Sequence, residues 1–517
     1  MVIQSPSPQV SVSNKALTPF VLRRENELKD HAAIINGLTG EIMSFGDLGS
    51  SIRRAASGFI SLGVDKGDVV ALYAPNLPEY IVAFHAISYI GGTVTTVNPL
   101  YNTDELSRQI DSSGAEIIVT IPELVANISA LGHSSKIRNI IVFGEADNTT
   151  SFTQLLANEE LANPTDVDVK IHIVALPYSS GTTGLAKGVM ITHKNLVANL
   201  CQLNHIDGYT DTDENDIQVA VLPFFHIYGM NIFMCFSLYR GATLITMPRF
   251  DLEQFLTIIE KHKVTRTYIA PPIAVALAKS PVVDDFRLES LKIVLSGAAP
   301  LGADVTQEVE KRLGCDVVQG YGLTETSPVT NICPNEAGKK KYGSIGPPIC
   351  NTEMKVIDLK SGEDLDRNQN GEVCIRGPQV MKGYLNNDEA TNACIDSDGW
   401  FHTSDVGFAD DDGYFYIVDR VKELIKYKGY QVAPAELEAL LLTHPGIADV
   451  AVIGVPDEEC GELPIAYVVG KGRVDPDEII QFVAARVAPY KKIRSVEFID
   501  AIPKAPSGKI LRRVLRD

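Results

Sequence analysis

Positive charge is in short supply: 46 Lys and Arg stand against 65 Asp and Glu, for a net charge of −19. A sequence-independent nucleic-acid binder needs a basic face, so that class is excluded. There is no CxxC pair. The eight cysteines (Cys201, Cys235, Cys315, Cys333, Cys350, Cys374, Cys394 and Cys460) are scattered, and none has a His at ligand spacing. No zinc site is therefore expected, and the thiols are expected to be reduced in a cytosol-like compartment. An uninterrupted apolar span is missing too. The nearest approach, 219–239, lacks Lys, Arg, Asp and Glu but is broken by Pro223, His226 and Asn231. It reads as a buried strand and helix and not as a membrane span. The first residues carry no secretory pattern, and Leu515-Arg516-Asp517 is not a peroxisomal tripeptide. A cytoplasmic location, without membrane or nucleic-acid partners, is the expectation. No internal repeat or low-complexity tract appears.

What is present points to an ordinary globular chain, 45% hydrophobic and 21% charged. At 517 residues it exceeds the size at which one core stops growing, so two or three domains are expected. Residues 1 to about 15 are polar and proline-spotted and read as a loose arm. From Asp68 onward strand and helix periods take turns: strands at 69–73, 93–97, 116–120 and 138–143, helices at 78–90 and 104–112. The alternation resumes with strands at 242–247, 264–270 and 291–295 and helices at 252–262 and up to about Arg312. Such alternation predicts a mostly parallel α/β sheet. From Gly343 the texture changes to short strands and turns. After Asp419-Arg420 a smaller unit begins, with helices at 434–442 and 477–487 and strands at 448–455 and 465–469. The predicted architecture is α/β. A large N-terminal domain (1–420) of mostly parallel layers, with a short-strand subdomain, is followed by a small α+β C-terminal domain (421–517) with the proportions of a lid.

Five stretches carry chemistry. The first, Tyr178-Ser179-Ser180-Gly181-Thr182-Thr183-Gly184-Leu185-Ala186-Lys187-Gly188, packs three glycines, four hydroxyls and one lysine behind an apolar strand at 171–177. Glycines let backbone N–H groups approach a ligand, and the lysine adds a mobile cation, which is chemistry for phosphate. It is not a Walker A loop, because Gly188 follows Lys187 where Ser or Thr is required. The second stretch is Val318-Gln319-Gly320-Tyr321-Gly322-Leu323-Thr324-Glu325-Thr326. Its tyrosine between glycines suits a planar base, Thr324 a phosphate oxygen, and Glu325 a magnesium ion. Glycine-rich turns after Pro177, Leu295 and Val318 fall at strand ends, where one cleft is expected to form. The third, Gly399-Trp400-Phe401-His402-Thr403-Ser404-Asp405, has Asp419-Arg420 shortly downstream and suits the hydroxyls of a ribose. The fourth is the lysine-rich run 421–432. The fifth, Pro503-Lys504-Ala505-Pro506-Ser507-Gly508-Lys509, puts Lys509 on a turn able to enter a cleft. It lies in a locally basic segment, 489–517, with eight Lys or Arg against three acidic residues. Singly, each has a plain alternative: a linker, a tight turn, a surface turn, a solvated helix end, an exposed lysine.

In this order and at these intervals the five stretches resemble the adenylate-forming superfamily of acyl- and aryl-CoA ligases, over nearly the whole chain (38–513). Within it, Leu222-Pro223-Phe224-Phe225-His226-Ile227-Tyr228-Gly229, Gly371-Glu372-Val373-Cys374-Ile375-Arg376-Gly377 and 426–436 resemble 4-coumarate:CoA ligases. The Pro-Phe-Phe-His wording is similar to bacterial cinnamate or coumarate ligases. The resemblance implies that a carboxylate attacks the α-phosphate of ATP, giving an acyl-adenylate and pyrophosphate, and that coenzyme A then displaces AMP. It implies Mg²⁺ beside ATP and coenzyme A. It assigns Ser179, Ser180, Gly181, Thr182, Thr183 and Lys187 to the β- and γ-phosphates. Gln319, Gly320 and Tyr321 frame adenine, Thr324 and Glu325 meet the α-phosphate and metal, and Asp405 and Arg420 hold the ribose. Lys509 assists adenylation, and His226 orients or gates the carboxylate. Lys426, Lys428, Gly429 and Gln431 belong to the thioester-forming face. The small domain is expected to swing about the link after Arg420 between the two half-reactions.

The aryl pocket of the family corresponds to Tyr228, Ile232, Leu295, Ala298, Gly320, Gly322, Pro328 and Val329. Small residues with one tyrosine hydroxyl suit a flat ring, and Ile232 is bulkier than the residue plant coumarate ligases usually place there. Two departures stand out: Ser404 replaces the glycine usual before the ribose aspartate, and Ala186 replaces the usual proline before Lys187. The rival readings are a medium-chain fatty acyl-CoA ligase, which shares every catalytic motif, and a stand-alone adenylation enzyme loading a carrier protein.

Overall fold

The predicted alternation folds into two α/β sheets, not one. A computed structural model describes residues 1–131, 136–179, 186–206, 212–336, 338–428, 430–457, 459–472, 474–505 and 508–516. In the first sheet Val69–Tyr73 lies between Thr93–Thr96 and Ile117–Thr120, with Asn139–Val142 beyond, all parallel. Ile173–Ala175 continues it beside Thr93–Thr96, and Lys187–Thr192 pairs antiparallel with Ile173–Ala175. The second sheet runs Asp316–Gly322, Ile293–Ser296, Arg266–Ile269, Ile217–Ala220, Thr243–Thr246 and Ala32–Asn36, again parallel. Antiparallel strands Val329–Ile332 and Ile42–Ser44 close its two edges.

Helices appear where polar caps meet apolar stripes. Phe45–Ser61 starts at a reciprocal Ser44–Asp47 cap, and Thr103–Ser113 starts at an Asn102–Glu105 cap and ends at Gly114, φ 71°. One apolar core fills the space between the two sheets, with Phe84, Val94, Leu196, Phe233, Phe236 and Leu244 among its members. The charge-free run 219–239 supplies strand Ile217–Ala220, whose Ala220 faces this core while Val219 faces a second one, and a helix whose middle, Met230–Ser237, is wound as a π-helix and buried. Among the described residues no helix is long and apolar enough to cross a membrane.

An antiparallel sheet of Glu353–Ile357, Gly371–Arg376, Phe401–Ala409 and Phe415–Arg420 follows. The N-terminal arm, expected to be loose, is tied to it. Ile3 pairs with Met354, and the Asn351 side chain exchanges two 2.8 Å hydrogen bonds with the backbone of Val10. A sheet edge presents unpaired N–H and C=O groups, and the arm satisfies them. The last sheet comprises Ile425–Tyr427, Tyr430–Val432, Ile447–Asp457, Gly461–Gly470 and Ser495–Phe498. Helices Pro434–Leu442 and Pro476–Ala484 cover it, and it has its own core of Leu437, Val450, Val452, Ile479 and Val483.

Candidate active site

Strand Phe401–Ala409 brings Asp405 opposite Arg420 of Phe415–Arg420, as direct cross-strand partners. Arg420 Nε lies 3.1 Å from Asp405 Oδ1, and the Tyr321 hydroxyl donates to Asp405 Oδ2 at 2.5 Å. Tyr321 comes from the second α/β sheet, so one carboxylate joins three pieces of chain. Burial, with the adjoining Asp405 carboxylate, pushes the Tyr321 phenol well above its ordinary value, and it stays a donor. Ser404, where a glycine was expected, keeps the glycine geometry: its φ is 58°, and its N–H donates to Glu372 Oε1 at 2.9 Å. A left-handed serine costs roughly 1–2 kcal/mol, partly offset because glycine has more unfolded freedom to lose. Ser404→Gly is therefore expected to stabilise the fold by about 0.5–1 kcal/mol. A lowered thermal midpoint for that variant would refute this account.

Only the two ends of the first glycine-rich stretch lie among the described residues. Ser179 and Lys187 are cross-strand partners in an antiparallel hairpin, with Tyr178 opposite Gly188. It springs from the first sheet, whereas the turns after Leu295 and Val318 belong to the second. The three turns thus belong to two sheets and not to one row of strand ends. Ser180, Gly181, Thr182 and Thr183 lie outside the described residues. Lys187 is joined to the second sheet through a residue that the motifs did not single out. Its Nζ sits 4.9 Å above the ring of Tyr384, whose hydroxyl donates to Glu325 Oε1 at 2.9 Å. Tyr384 follows the Gly371–Gly377 motif without a glycine-loop or charge pattern of its own, and only the pairing of Gly383–Tyr384 with Lys187–Thr192 brings it in.

Gln319 Oε1 accepts from Leu301 N at 3.2 Å, tying the loop after Ile293–Ser296 to its neighbour. Gly322 is a glycine for want of room: a Cβ there would stand 1.9 Å from Pro328 O, whereas one on Gly320 would make only an ordinary 3.4 Å contact with Asn331 O. Thr324 opens the short turn Thr324–Thr326. Around this strand Leu295, Ala298, Gly320 and Gly322 stay partly open, while Tyr228, Ile232, Pro328 and Val329 are buried. The Tyr228 ring lies on Gly297, and its hydroxyl has a 3.4 Å contact to Leu295 O.

His226 begins the helical segment and accepts the Tyr228 N–H through Nδ1 at 3.4 Å, which leaves Nε2 as the protonated nitrogen of a neutral ring. Burial, and next the positive charge of Lys509, lower its pKa to about 4. Lys509 therefore acts on this ring through its charge. Its turn is held by Ala505 N to Lys509 O (2.8 Å) and Leu511 N to Pro503 O (2.8 Å). Gly508, at φ 83°, lies against Ala270 and Pro272, where a Cβ would come within 3.0 Å of Pro272 Cδ. Burial first, then Arg420, lower the Lys509 pKa to about 8, while Asp405 opposes them. Arg512 fixes the base of this arm. It donates to both oxygens of Glu438 at 2.8 Å and to Val452 O at 3.2 Å.

Lys426, Lys428 and Gln431 are not brought to the cleft. They stand exposed on the hairpin of Ile425–Tyr427 and Tyr430–Val432, and Gly429 lies outside the described residues. The arrangement presents one lysine of the small unit to the cleft and leaves the lysine-rich hairpin outside it.

Residues 22–385 match the family model of the AMP-binding enzymes, and 436–509 match that of their C-terminal domain. The chain is 46% identical to 4-coumarate--CoA ligase 5 of Oryza sativa subsp. japonica, over 100% of this chain and 97% of that protein. Its fold is similar to ATP-bound MatB from Rhodopseudomonas palustris, with TM-score 0.88, 28% identity, and coverage of 96% of this chain and 98% of that one. It is likewise similar to an anthranilate CoA ligase in complex with anthranoyl-AMP, with TM-score 0.90, 25% identity, and coverage of 98% and 97%. The class is thus that of adenylate-forming AMP-binding enzymes. Within that class the chain belongs to the 4-coumarate:CoA ligase family. It is an AMP-forming acid–thiol ligase, which uses ATP to convert a carboxylic acid to an acyl-adenylate and then transfers the acyl group to coenzyme A.

Proposed function

We propose that the acid is a hydroxycinnamate-type aryl acid, with cinnamate and 4-coumarate as good substrates and sinapate as a poor one. The observation that carries this reading is Tyr228, a buried phenol whose only hydrogen bond among the described residues is the long one to Leu295 O. Its oxygen retains acceptor capacity for a para-hydroxyl at the end of an apolar slot. Ile232, branched and buried on the π-helical segment, supports exclusion of ring methoxyl groups.

In this reading His226, neutral with its proton on Nε2, donates to the acid's carboxylate. A carboxylate oxygen attacks the α-phosphorus of ATP, and the bond to pyrophosphate breaks. Negative charge builds on the phosphate oxygens, and Lys509 meets it as a cation from the small unit. Asp405 and Arg420 hold the ribose, and Lys187 with the hairpin 178–188 holds the outer phosphates. Glu325 fits a magnesium site: it is a buried oxygen donor with Oε1 engaged by Tyr384, leaving Oε2 for a hard cation that prefers carboxylate plus phosphate. When bound, Mg²⁺ supplies charge neutralisation beside the phosphates. In the second step the sulfur of coenzyme A attacks the acyl carbon, and the bond to AMP breaks. That step uses Lys426, Lys428, Gly429 and Gln431 after a swing of 421–517 relative to 1–420. The exposure of the lysine-rich hairpin while Lys509 occupies the cleft supports such an alternation. The reading is of a cytoplasmic enzyme acting on small molecules.

Pyrophosphate release from cinnamic, 4-coumaric, sinapic, benzoic and octanoic acids, with and without coenzyme A, tests the proposal. Cinnamate and coumarate are expected to lead, with thioester formed only when coenzyme A is present. Tyr228→Phe is expected to lower kcat/KM for coumarate about tenfold, the worth of roughly one buried hydrogen bond, and to leave cinnamate nearly unchanged. Sinapate turning over as well as coumarate, or octanoate leading the series, would sink the aryl assignment.

A further inference from the structure

We propose that Glu372, Cys374 and His402 form a binding site for a zinc-class divalent cation on the antiparallel sheet, distinct from the nucleotide cleft. The backbone builds the cluster. Glu372 and Cys374 are two apart on Gly371–Arg376 and so leave the same face, and Cys374 is the cross-strand partner of His402 on Phe401–Ala409. A ladder irregularity between Glu372 and Cys374 lets both side chains converge on the imidazole.

The spacing suits a small tetrahedral ion. Glu372 Oε2 lies 3.3 Å and Cys374 Sγ 3.6 Å from the same ring nitrogen, His402 Nδ1, and the three ligand atoms fall within 4.8 Å of one another. Zinc bonds of about 2.0–2.3 Å to O, N and S at tetrahedral angles put ligand atoms roughly 3.3–3.6 Å apart. The surroundings match as well. His402 Nε2 faces Asp396 Oδ2 at 3.5 Å, the carboxylate support that metal-bound imidazoles usually have. The second oxygen of Glu372 is held by Ser404 N–H at 2.9 Å, which fixes the carboxylate's direction. His402 keeps 26% and Glu372 17% of its side-chain surface, so an ion can enter and a water can complete the fourth position. Lys355, the neighbour of Cys374 on the next strand, is already paired with Asp364 at 3.0 Å.

A hydrogen-bonded Glu–His–Asp chain accounts for the carboxylates, and packing against Ile357 and Trp400 accounts for the burial of Cys374, but neither calls for its thiol to stand 3.6 Å from the same ring nitrogen. A soft nitrogen–sulfur–oxygen set selects zinc, cobalt or copper over magnesium. On binding, the cation replaces the thiol proton of Cys374, which is released to solvent, and one bond to sulfur forms.

The test uses the full-length protein stripped with a chelator and titrated with Co²⁺, whose thiolate complexes show a sulfur-to-metal charge-transfer band. Trp400, the single tryptophan, packs in one apolar cluster with Cys374 and gives a second readout through quenching of its fluorescence. The expected result is one cobalt per chain, with band and quenching saturating together and zinc displacing both. Cys374→Ser is expected to abolish the band, and His402→Gln to weaken binding at least tenfold, while both variants keep ligase turnover. Absence of the band, or its survival in Cys374→Ser, overturns the proposal, since cobalt would then be absent or held by another thiol such as Cys394 or Cys460. Retained turnover in the variants guards against misreading an unfolded protein as a lost site.

Discussion

Replacing Lys509 with alanine is expected to slow acyl-adenylate formation by about 10²–10³-fold, the usual cost of removing one positioned charge donor. Thioester formation from supplied acyl-adenylate should be nearly unchanged. The reason is geometric: the Gly508–Lys509 turn inserts against Ala270 and Pro272, and Lys509 is close enough to His226 to depress its pKa. Single-turnover measurement of each half-reaction separates the two steps, and equal loss in both would contradict the division of labour. A pH profile adds an independent check. Burial, then Arg420, lower the Lys509 pKa from 10.5 to about 8, so the cation is complete well below that pH and is lost as pH rises through it. The kcat/KM for adenylation, which reports groups of the free enzyme, should fall on the alkaline side. Lys509→Arg, whose charge persists, should move that fall to higher pH even if its geometry lowers the plateau. An alkaline limb that stays in place in the arginine variant would show that another group titrates.

The second large effect is expected at Glu438. Arg512 donates to both of its oxygens at 2.8 Å, Val452 N donates to Oε1 at 2.8 Å, and the two side chains keep only 12% and 11% of their surface. Removing one partner of such a pair strands a buried charge, so Glu438→Ala should destabilise the small unit by roughly 3–5 kcal/mol. Because Arg512 sits on the arm that carries Lys509, adenylation by the surviving folded fraction should fall as well. Substituting both residues with apolar ones, as in Glu438→Leu with Arg512→Met, should recover much of the stability, since no unpaired charge remains. A chemical denaturation curve that separates the unfolding of the small unit measures both effects. A loss below about 1 kcal/mol for Glu438→Ala would mean that water screens the pair, as it does for exposed ion pairs.

Much of this molecule is legible from its residues in order. Strand and helix periods located Val69–Tyr73, Leu252–His262 and Pro434–Leu442 with the bounds observed. That signal is local: side-chain periodicity, caps and breakers act over a few residues. The glycine-rich stretches and Lys509 stand out for a related reason, since glycine-rich turns and isolated lysines are chemical features of short segments. The Ser404 departure was visible too, although only the backbone showed that serine adopts the left-handed turn and does not alter it.

What the tertiary structure decided is adjacency. Periodicity assigns a face to each side chain but names no neighbour, so the sequence could not say that two sheets share one core. Nor could it say that Ala32–Asn36 joins the sheet built from residues far downstream, or that the N-terminal arm closes a sheet edge. The same limit hid Tyr384, which reaches Glu325 only through the pairing of two distant strands. It also hid the cluster of Glu372, Cys374 and His402. Cys374 and His402 stand 28 residues apart, which no ligand-spacing rule would join, yet the antiparallel ladder sets them face to face. Local physics determined which segments form strands, helices, glycine-rich turns and lysine-rich runs, and long-range strand pairing determined which of their atoms meet.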